Sequence, residues 1–281
     1  MLRLTNFHTH SHFCDGKEAP EEYIKAAIEA DFEAIGFSAH APLPFENKWS
    51  IKPGKLPEYI AEIVRLKKLY ASKIPVFLGL EVDYVPGASP TFSSLQQVYA
   101  LDYVIGGVHL VVSENTSDLW FIDGQPKGYD EGLRDIFHMD IKRGVDCYFH
   151  QLWEMIRTQK FDLLAHADKI KMNNRGLYFS TDDLWYQEYI RKTVDIIAQA
   201  GCIVEVNTRG IYKNRCPEFY PSVPMLEALF QKHVPVTIST DAHHPSELAL
   251  QWLEALQCLR DIGYRNIMVL CENGWEVRKI S

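Results

Sequence analysis

A closed barrel of parallel strands wrapped by helices is the fold class this chain predicts, on three observations. Short apolar runs at residues 2–7, 34–37, 76–80, 103–108, 161–165 and 236–240 are β-branched or aromatic-rich. Stretches with helical spacing separate most of them. Each run also ends in side chains able to bind metal: His8 with His10, His40, Glu81, His109, His166, and Asp241 with His243. In a β/α barrel the C-terminal ends of different strands converge on one face, so residues far apart in sequence would meet at one polynuclear site. An open doubly wound sheet explains such a multi-strand set less well.

Taken in order, the first run leads into a loop over 11–19, where Pro20 suits the first turn of a helix and Glu21 and Glu22 complement its dipole. That helix runs to about residue 30. The strand to His40 is followed by a loop with Pro42, Pro44, Pro53 and Gly54, then by a helix from about Pro57 whose Ile60, Ile63, Val64 and Leu66 mark an apolar face. The strand to Glu81, a short helix over 93–101 and the strand to His109 come next. A long excursion over 111–129, a candidate active-site lid, precedes one helix over 131–158. The strand to His166 leads to a helix over 181–200 closed by Gly201, then to the strand 203–206, a helix over 225–232, the strand to Asp241 and a helix over 246–262. Residues 267–270 read as an eighth strand or a packing tail. His138, His150 and His233 fall in helical stretches and read as structural.

The 281 residues suit one large barrel or two smaller domains, and the lack of a Pro/Gly/Ser-rich linker favours one unit over 1–281. An apolar content of 47% with 23% charged residues belongs to a globular chain with a sizeable core. No secretory signal pattern opens the chain, and no stretch approaches the roughly 20 apolar residues that span a bilayer. The expectation is a cytoplasmic protein without a membrane partner. A formal net charge of −8 argues against a nucleic-acid groove, which needs a basic face. Bound divalent ions would add local positive charge, so a small phosphorylated metabolite remains a suitable partner. The six cysteines form no C-x-x-C pair and read as reduced thiols.

The chemistry lies in the strand ends. His8 and His10 stand two apart and project to one side, where both can chelate one ion. Asp15 follows in a loop that leaves the same strand end, with His12 close enough in sequence to take its place. A glutamate after the apolar Leu78-Gly79-Leu80 needs a partner or a metal, and Glu81 can bridge two ions. His109 and His166 recur in the same position, and Asp241-Ala242-His243 places a carboxylate and an imidazole on one strand end. The nine candidates, His8, His10, Asp15, His40, Glu81, His109, His166, Asp241 and His243, mix nitrogen and oxygen donors without cysteine, which suits Zn, Mn or Fe.

HTHSHFCDG at 8–16, SAH at 38–40, GLE at 79–81, GGVH at 106–109, AHAD at 165–168 and STDAH at 239–243 together resemble the PHP (polymerase and histidinol phosphatase) superfamily. LWFIDG at 119–124, FDLLAHADKI at 161–170 and EVNTRG at 205–210 resemble its histidinol-phosphatase branch. The resemblance implies an α/β fold of the distorted (β/α)7 TIM-like barrel type and three divalent ions held by the nine residues. It implies hydrolysis of a phosphomonoester, L-histidinol phosphate, with ions that acidify water and screen the phosphate. Asp241 or His243 would then assist proton transfer to the leaving alkoxide. Arg209, beyond the strand 203–206, is the preferred phosphate clamp, and Lys169, Lys171 and Arg175 are further cations. Asp118 or Asp123 would pair with the substrate's ammonium group, while His12 and His244 would support the ligands or exchange protons. Alternatives are a protein-tyrosine or nucleotide phosphatase, a non-catalytic metal-binding PHP module, and an amidohydrolase. The last is disfavoured by His40 and Glu81 on early strands.

Overall fold

The computed structural model describes residues 3–280, so Leu2, in the first expected run, lies outside the described residues. In chain order the elements begin with β1 (Thr5–Asn6), α1 (Pro20–Glu29), β2 (Ala34–Phe37), α2 (Leu56–Leu69), β3 (Val76–Asp83) and α3 (Phe92–Tyr99). They continue with β4 (Tyr103–Gly107), β5 (Leu110–Val112), β6 (Leu119–Phe121), α4 (Pro126–Phe137), α5 (Ile141–Thr158), β7 (Leu163–Leu164), α6 (Leu184–Ala200) and β8 (Ile203–Asn207). The rest are α7 (Arg209–Tyr212), α8 (Val223–Gln231), β9 (Val236–Ser239), α9 (Trp252–Ile262), β10 (Asn266–Cys271) and β11 (Gly274–Lys279).

Seven strands form one sheet in the order β1-β2-β3-β4-β7-β8-β9. Each pairs with its neighbours in parallel. The two edges meet just beyond the strands. The His10 amide donates to the Ala242 carbonyl at 2.8 Å, and the Ala242 amide donates to the His8 carbonyl at 3.1 Å. Below that seam the Asn6 side chain stands in for a backbone partner, its Oδ1 accepting from the Thr240 amide at 2.9 Å. The barrel is therefore nearly closed, and its closure draws the His8–His10 segment against the Asp241–His243 segment.

Interior packing explains two glycines. The Tyr103 ring lies across the barrel and donates its hydroxyl to the Phe7 carbonyl at 2.6 Å. A Cβ on Gly36 would stand 2.5 Å from the Tyr103 hydroxyl, and one on Gly79 would stand 2.5 Å from its Cζ. Side chains there would collide with the group that fills the barrel.

The structure adds to the expected order of elements and departs from it in places. The single helix over 131–158 is two helices: His138 and Met139 adopt left-handed φ of 53° and 65°, and the Asp140 carboxylate then caps α5 by accepting from the Arg143 amide at 3.2 Å. The excursion over 111–129 is a β5–β6 antiparallel hairpin followed by the start of α4. Residues 267–270 form no eighth barrel strand; they pack against the barrel, with Ile267, Val269 and Leu270 buried. β10 and β11 pair as an antiparallel hairpin under the N-terminal ends of the strands, where Trp275 packs on Phe7 at 5.3 Å between ring centroids and hydrogen-bonds Asp162 at 3.2 Å. His138 ends α4 and His233 follows α8, both with left-handed backbone, so only His150 lies inside a helix.

Candidate metal centre

The strand ends deliver the donors as the parallel order requires. His8 and His10 follow β1, His40 follows β2, Glu81 lies within β3, His109 follows β4, His166 follows β7, and Asp241 and His243 follow β9. Glu81 is the meeting point. Its Oε2 lies 3.1 Å from His8 Nε2, 3.4 Å from His10 Nε2 and 3.1 Å from His40 Nδ1. Its Oε1 lies 3.1 Å from His166 Nε2 and 3.6 Å from His109 Nε2. Asp241 Oδ1 is 3.4 Å from His10 Nε2, and Asp15 Oδ1 is 3.2 Å from His243 Nε2.

Three sets of donor atoms fall within 4.8 Å of one another: His10, Asp15, His40 and His243; His8, His10 and Glu81; and His40, Glu81 and His109. The sets share His10, His40 and Glu81, and His166 and Asp241 join them through the distances above. His8 Nε2, His10 Nε2, His40 Nδ1, Asp15 Oδ1 and Glu81 Oε2 are buried without a hydrogen-bond partner. Buried polar atoms are normally paired, and converging lone pairs with no hydrogen between them suit cations. The nitrogen and oxygen donors thus fit a bound metal.

Burial and neighbouring charge pull these groups in opposite directions. Burial alone would raise the Glu81 carboxyl, but His8, His40 and His109 hold it well below the usual carboxylate range. Burial, with His243 and His40, drives the His10 imidazole down to about 3, the neutral form a metal ligand needs. Burial opposes a charge on His109, yet Asp83 lifts it to about 9.

The centre floors a cavity of about 390 Å³ whose lining includes Asp15, Glu81, Asp123, Lys169, Arg209 and Asp241. Trp49 and Phe121 also line it and stack at 4.5 Å between centroids with planes 9° apart. The side chain of Arg209 is held from behind, its Nη1 donating to the Asp241 carbonyl at 2.8 Å and to the Tyr212 hydroxyl at 3.1 Å. Lys169 Nζ sits 2.9 Å from Asp123 Oδ2 and 3.3 Å from His109 Nε2.

Other expected residues stand elsewhere. Lys171 is buried against Asp168 at 2.7 Å and Glu218 at 3.2 Å, so its charge is neutralised away from the cavity wall. Arg175 Nη2 donates to both carboxylate oxygens of Asp130, the longer contact at 2.8 Å. Asp118 is exposed in the β5–β6 turn, and Asp123 is the aspartate that reaches the cavity. His12 is exposed and stacks on Phe13 at 4.4 Å, leaving Asp15 inside the cluster. His244 Nδ1 accepts from the Ser246 amide at 3.2 Å and caps a short turn. Asp83 and Glu205 were missed by the sequence reading. Each is a buried carboxylate bonded to a ligand imidazole, Asp83 to His109 Nδ1 and Glu205 to His8 Nδ1. Glu205 between Val204 and Val206 carries the same signal as Glu81, a carboxylate in an apolar strand.

A family model described as PHP domain matches residues 6–209. The chain belongs to the PHP domain family. Among its relatives, a histidinol-phosphatase of Lactococcus lactis is 31% identical over 275 residues, covering 95% of this chain and 94% of the relative. A histidinol-phosphatase of Bacillus subtilis is 26% identical over 263 residues, covering 86% and 94%. A solved histidinol phosphate phosphatase of Lactococcus lactis, complexed with zinc, L-histidinol and phosphate, superposes with a TM-score of 0.73 at 19% identity, covering 98% of this chain and all of that one. At that identity the superposition speaks for the fold, that of a PHP barrel. No described helix is long and apolar enough to cross a membrane.

Proposed function

We propose that residues 1–281 act as one metal-dependent phosphomonoesterase unit that hydrolyses L-histidinol phosphate to L-histidinol and phosphate. The carrying observation is the convergence of nine nitrogen and oxygen donors in one cluster, six of them lining one cavity with Arg209 and Lys169 in its wall. His8, His10, Glu81 and Asp241 would hold one ion, Glu81, His109 and His166 a second, and Asp15, His40 and His243 a third. Zn, Mn or Fe in these positions would polarise the phosphate and acidify the attacking water.

The chain's own groups do the rest. Arg209 is oriented by the Asp241 carbonyl and Tyr212, so its planar fork is set to receive phosphate oxygens. Lys169 supplies a second buried cation, kept charged against burial by Asp123. Asp241 is held ionised against burial by His8 and Arg209. In that form Asp241 would ligate a cation, and Asp241 or His243 would assist proton transfer to the leaving alkoxide. Asp123 faces the substrate's ammonium group, and the stacked Trp49 and Phe121 shelter its apolar part. The relatives named histidinol-phosphatase across nearly the whole chain support this choice of alcohol.

Steady-state kinetics of the metal-reconstituted protein tests the reading. Histidinol phosphate should give the highest kcat/KM in a panel with phosphotyrosyl peptide and nucleoside monophosphates. Comparable turnover of phosphotyrosine or a nucleotide would replace the substrate while leaving the phosphatase assignment standing.

A further inference from the structure

We propose that Glu205 is a positioning residue that sets ligands of two ion positions at once, orienting the His8 ring and anchoring the backbone turn that presents His166. The inference rests on the metal-dependent reading above. Glu205 lies in β8 with no exposure to solvent. Its Oε2 lies 2.7 Å from His8 Nδ1, and its Oε1 accepts from the His166 amide at 3.1 Å and from Asn207 Nδ2 at 2.8 Å. The same Asn207 nitrogen is 3.2 Å from Asp241 Oδ2, which ties the group to a third donor.

Two consequences follow. With the Glu205 oxygen 2.7 Å from Nδ1, that ring nitrogen is the one engaged by the carboxylate, and Nε2, 3.1 Å from Glu81 Oε2, is the one that would meet a cation. That arrangement is what a metal ligand needs, and a negative partner also makes the ring a stronger donor. Separately, His166 has a φ of 26°, in the region that a residue with a Cβ avoids. The Glu205 oxygen on its amide holds that turn, and the turn aims His166 Nε2 at Glu81 Oε1. No other described carboxylate outside the nine reaches two of the donors in this way. Asp83 contacts the His109 ring and, at 3.7 Å, the His40 ring, without gripping a backbone turn.

Glu205→Gln keeps the size of the side chain while removing its charge and replacing one acceptor oxygen with a donor. Zinc binding is measured by competition with a chromogenic chelator, and urea unfolding is measured on the metal-free proteins. The expected result is zinc affinity lowered about ten- to a hundredfold, the range for losing the partner of a metal-bound histidine, with metal-free stability close to wild type. A merely structural glutamate would shift the urea midpoint and leave zinc affinity unchanged, and that outcome overturns the proposal. If the variant does not fold, heavy-nitrogen NMR of histidine in the zinc-loaded wild-type chain decides. His8 should show a slowly exchanging Nδ1–H with the metal on Nε2, and metal on Nδ1 overturns the proposal. A wild-type chain that takes up no zinc, manganese or iron would instead defeat the metal-dependent reading itself.

Discussion

Around Glu81, one carboxylate faces five imidazoles within 3.6 Å. A substitution there or at a neighbouring donor should damage chemistry far more than folding. His109→Ala and Asp241→Asn should each lower kcat by orders of magnitude, with the circular dichroism spectrum of the native fold retained, because a lost donor misplaces a cation without emptying a large core volume. Near-normal turnover in either metal-replete variant would contradict the ligand assignment. Arg209→Ala removes one charge-assisted contact of about 1.5–4 kcal/mol and should lower kcat/KM by roughly ten- to a thousandfold. Metal content should stay unchanged in that variant, since the guanidinium touches the Asp241 carbonyl and not its carboxylate donor.

The strands explain why the donors can be so crowded. Glu81 and Asp83 are two apart on β3, as Glu205 and Asn207 are on β8, so each pair shares one face of its strand. Further down the same barrel, Tyr103 occupies the space that Gly36 and Gly79 leave open. Gly79→Ala should therefore destabilise the fold by about 1–3 kcal/mol through overpacking. The urea midpoint reports this, and an unchanged midpoint would show that the ring can move aside. The seam is the other element-level device. Where β1 and β9 lack a full ladder, Asn6 and the His8, His10 and Ala242 backbone groups complete it.

Across the whole molecule, the centre gathers buried charge that a bound cation would compensate. Removal of metal with a chelator should abolish turnover and lower Tm, by the equivalent of about 4 kcal/mol for each ion present at a thousandfold its Kd. Zinc, manganese or iron should restore both, and a Tm indifferent to chelator would argue against a bound centre. Alkaline behaviour follows from burial elsewhere. Burial pushes the hydroxyls of Tyr59, Tyr103, Tyr148 and Tyr186 above the usual value near 10. Above about pH 10 the unfolded chain releases these protons and the folded chain keeps them, so the unfolded state binds fewer protons and stability falls as pH rises. Urea midpoints at pH 8 and about pH 10.5 check the sign, and a flat profile would contradict it.

The barrel and most of its centre were legible in the residue order because both depend on local patterns. Apolar runs of strand length, separated by helical spacing, define the alternation, and a polar donor at the end of each run places it on the barrel face where strands converge. The sequence by itself thus determined the fold class, the family and the residue types of the nine donors. Tertiary structure decided which loop side chains join them. Lys169 and Lys171 are two apart in one short turn, yet the first meets Asp123 in the cavity and the second meets Asp168 outside it. His12 and Asp15 share one loop, and only Asp15 turns inward. The direction of a loop side chain depends on backbone dihedrals and on partners brought from distant strands, and neither leaves a periodic mark in the sequence. Glu205 was hidden for the same reason: its partners His8 and His166 lie 197 and 39 residues away, and only closure of the barrel brings them together.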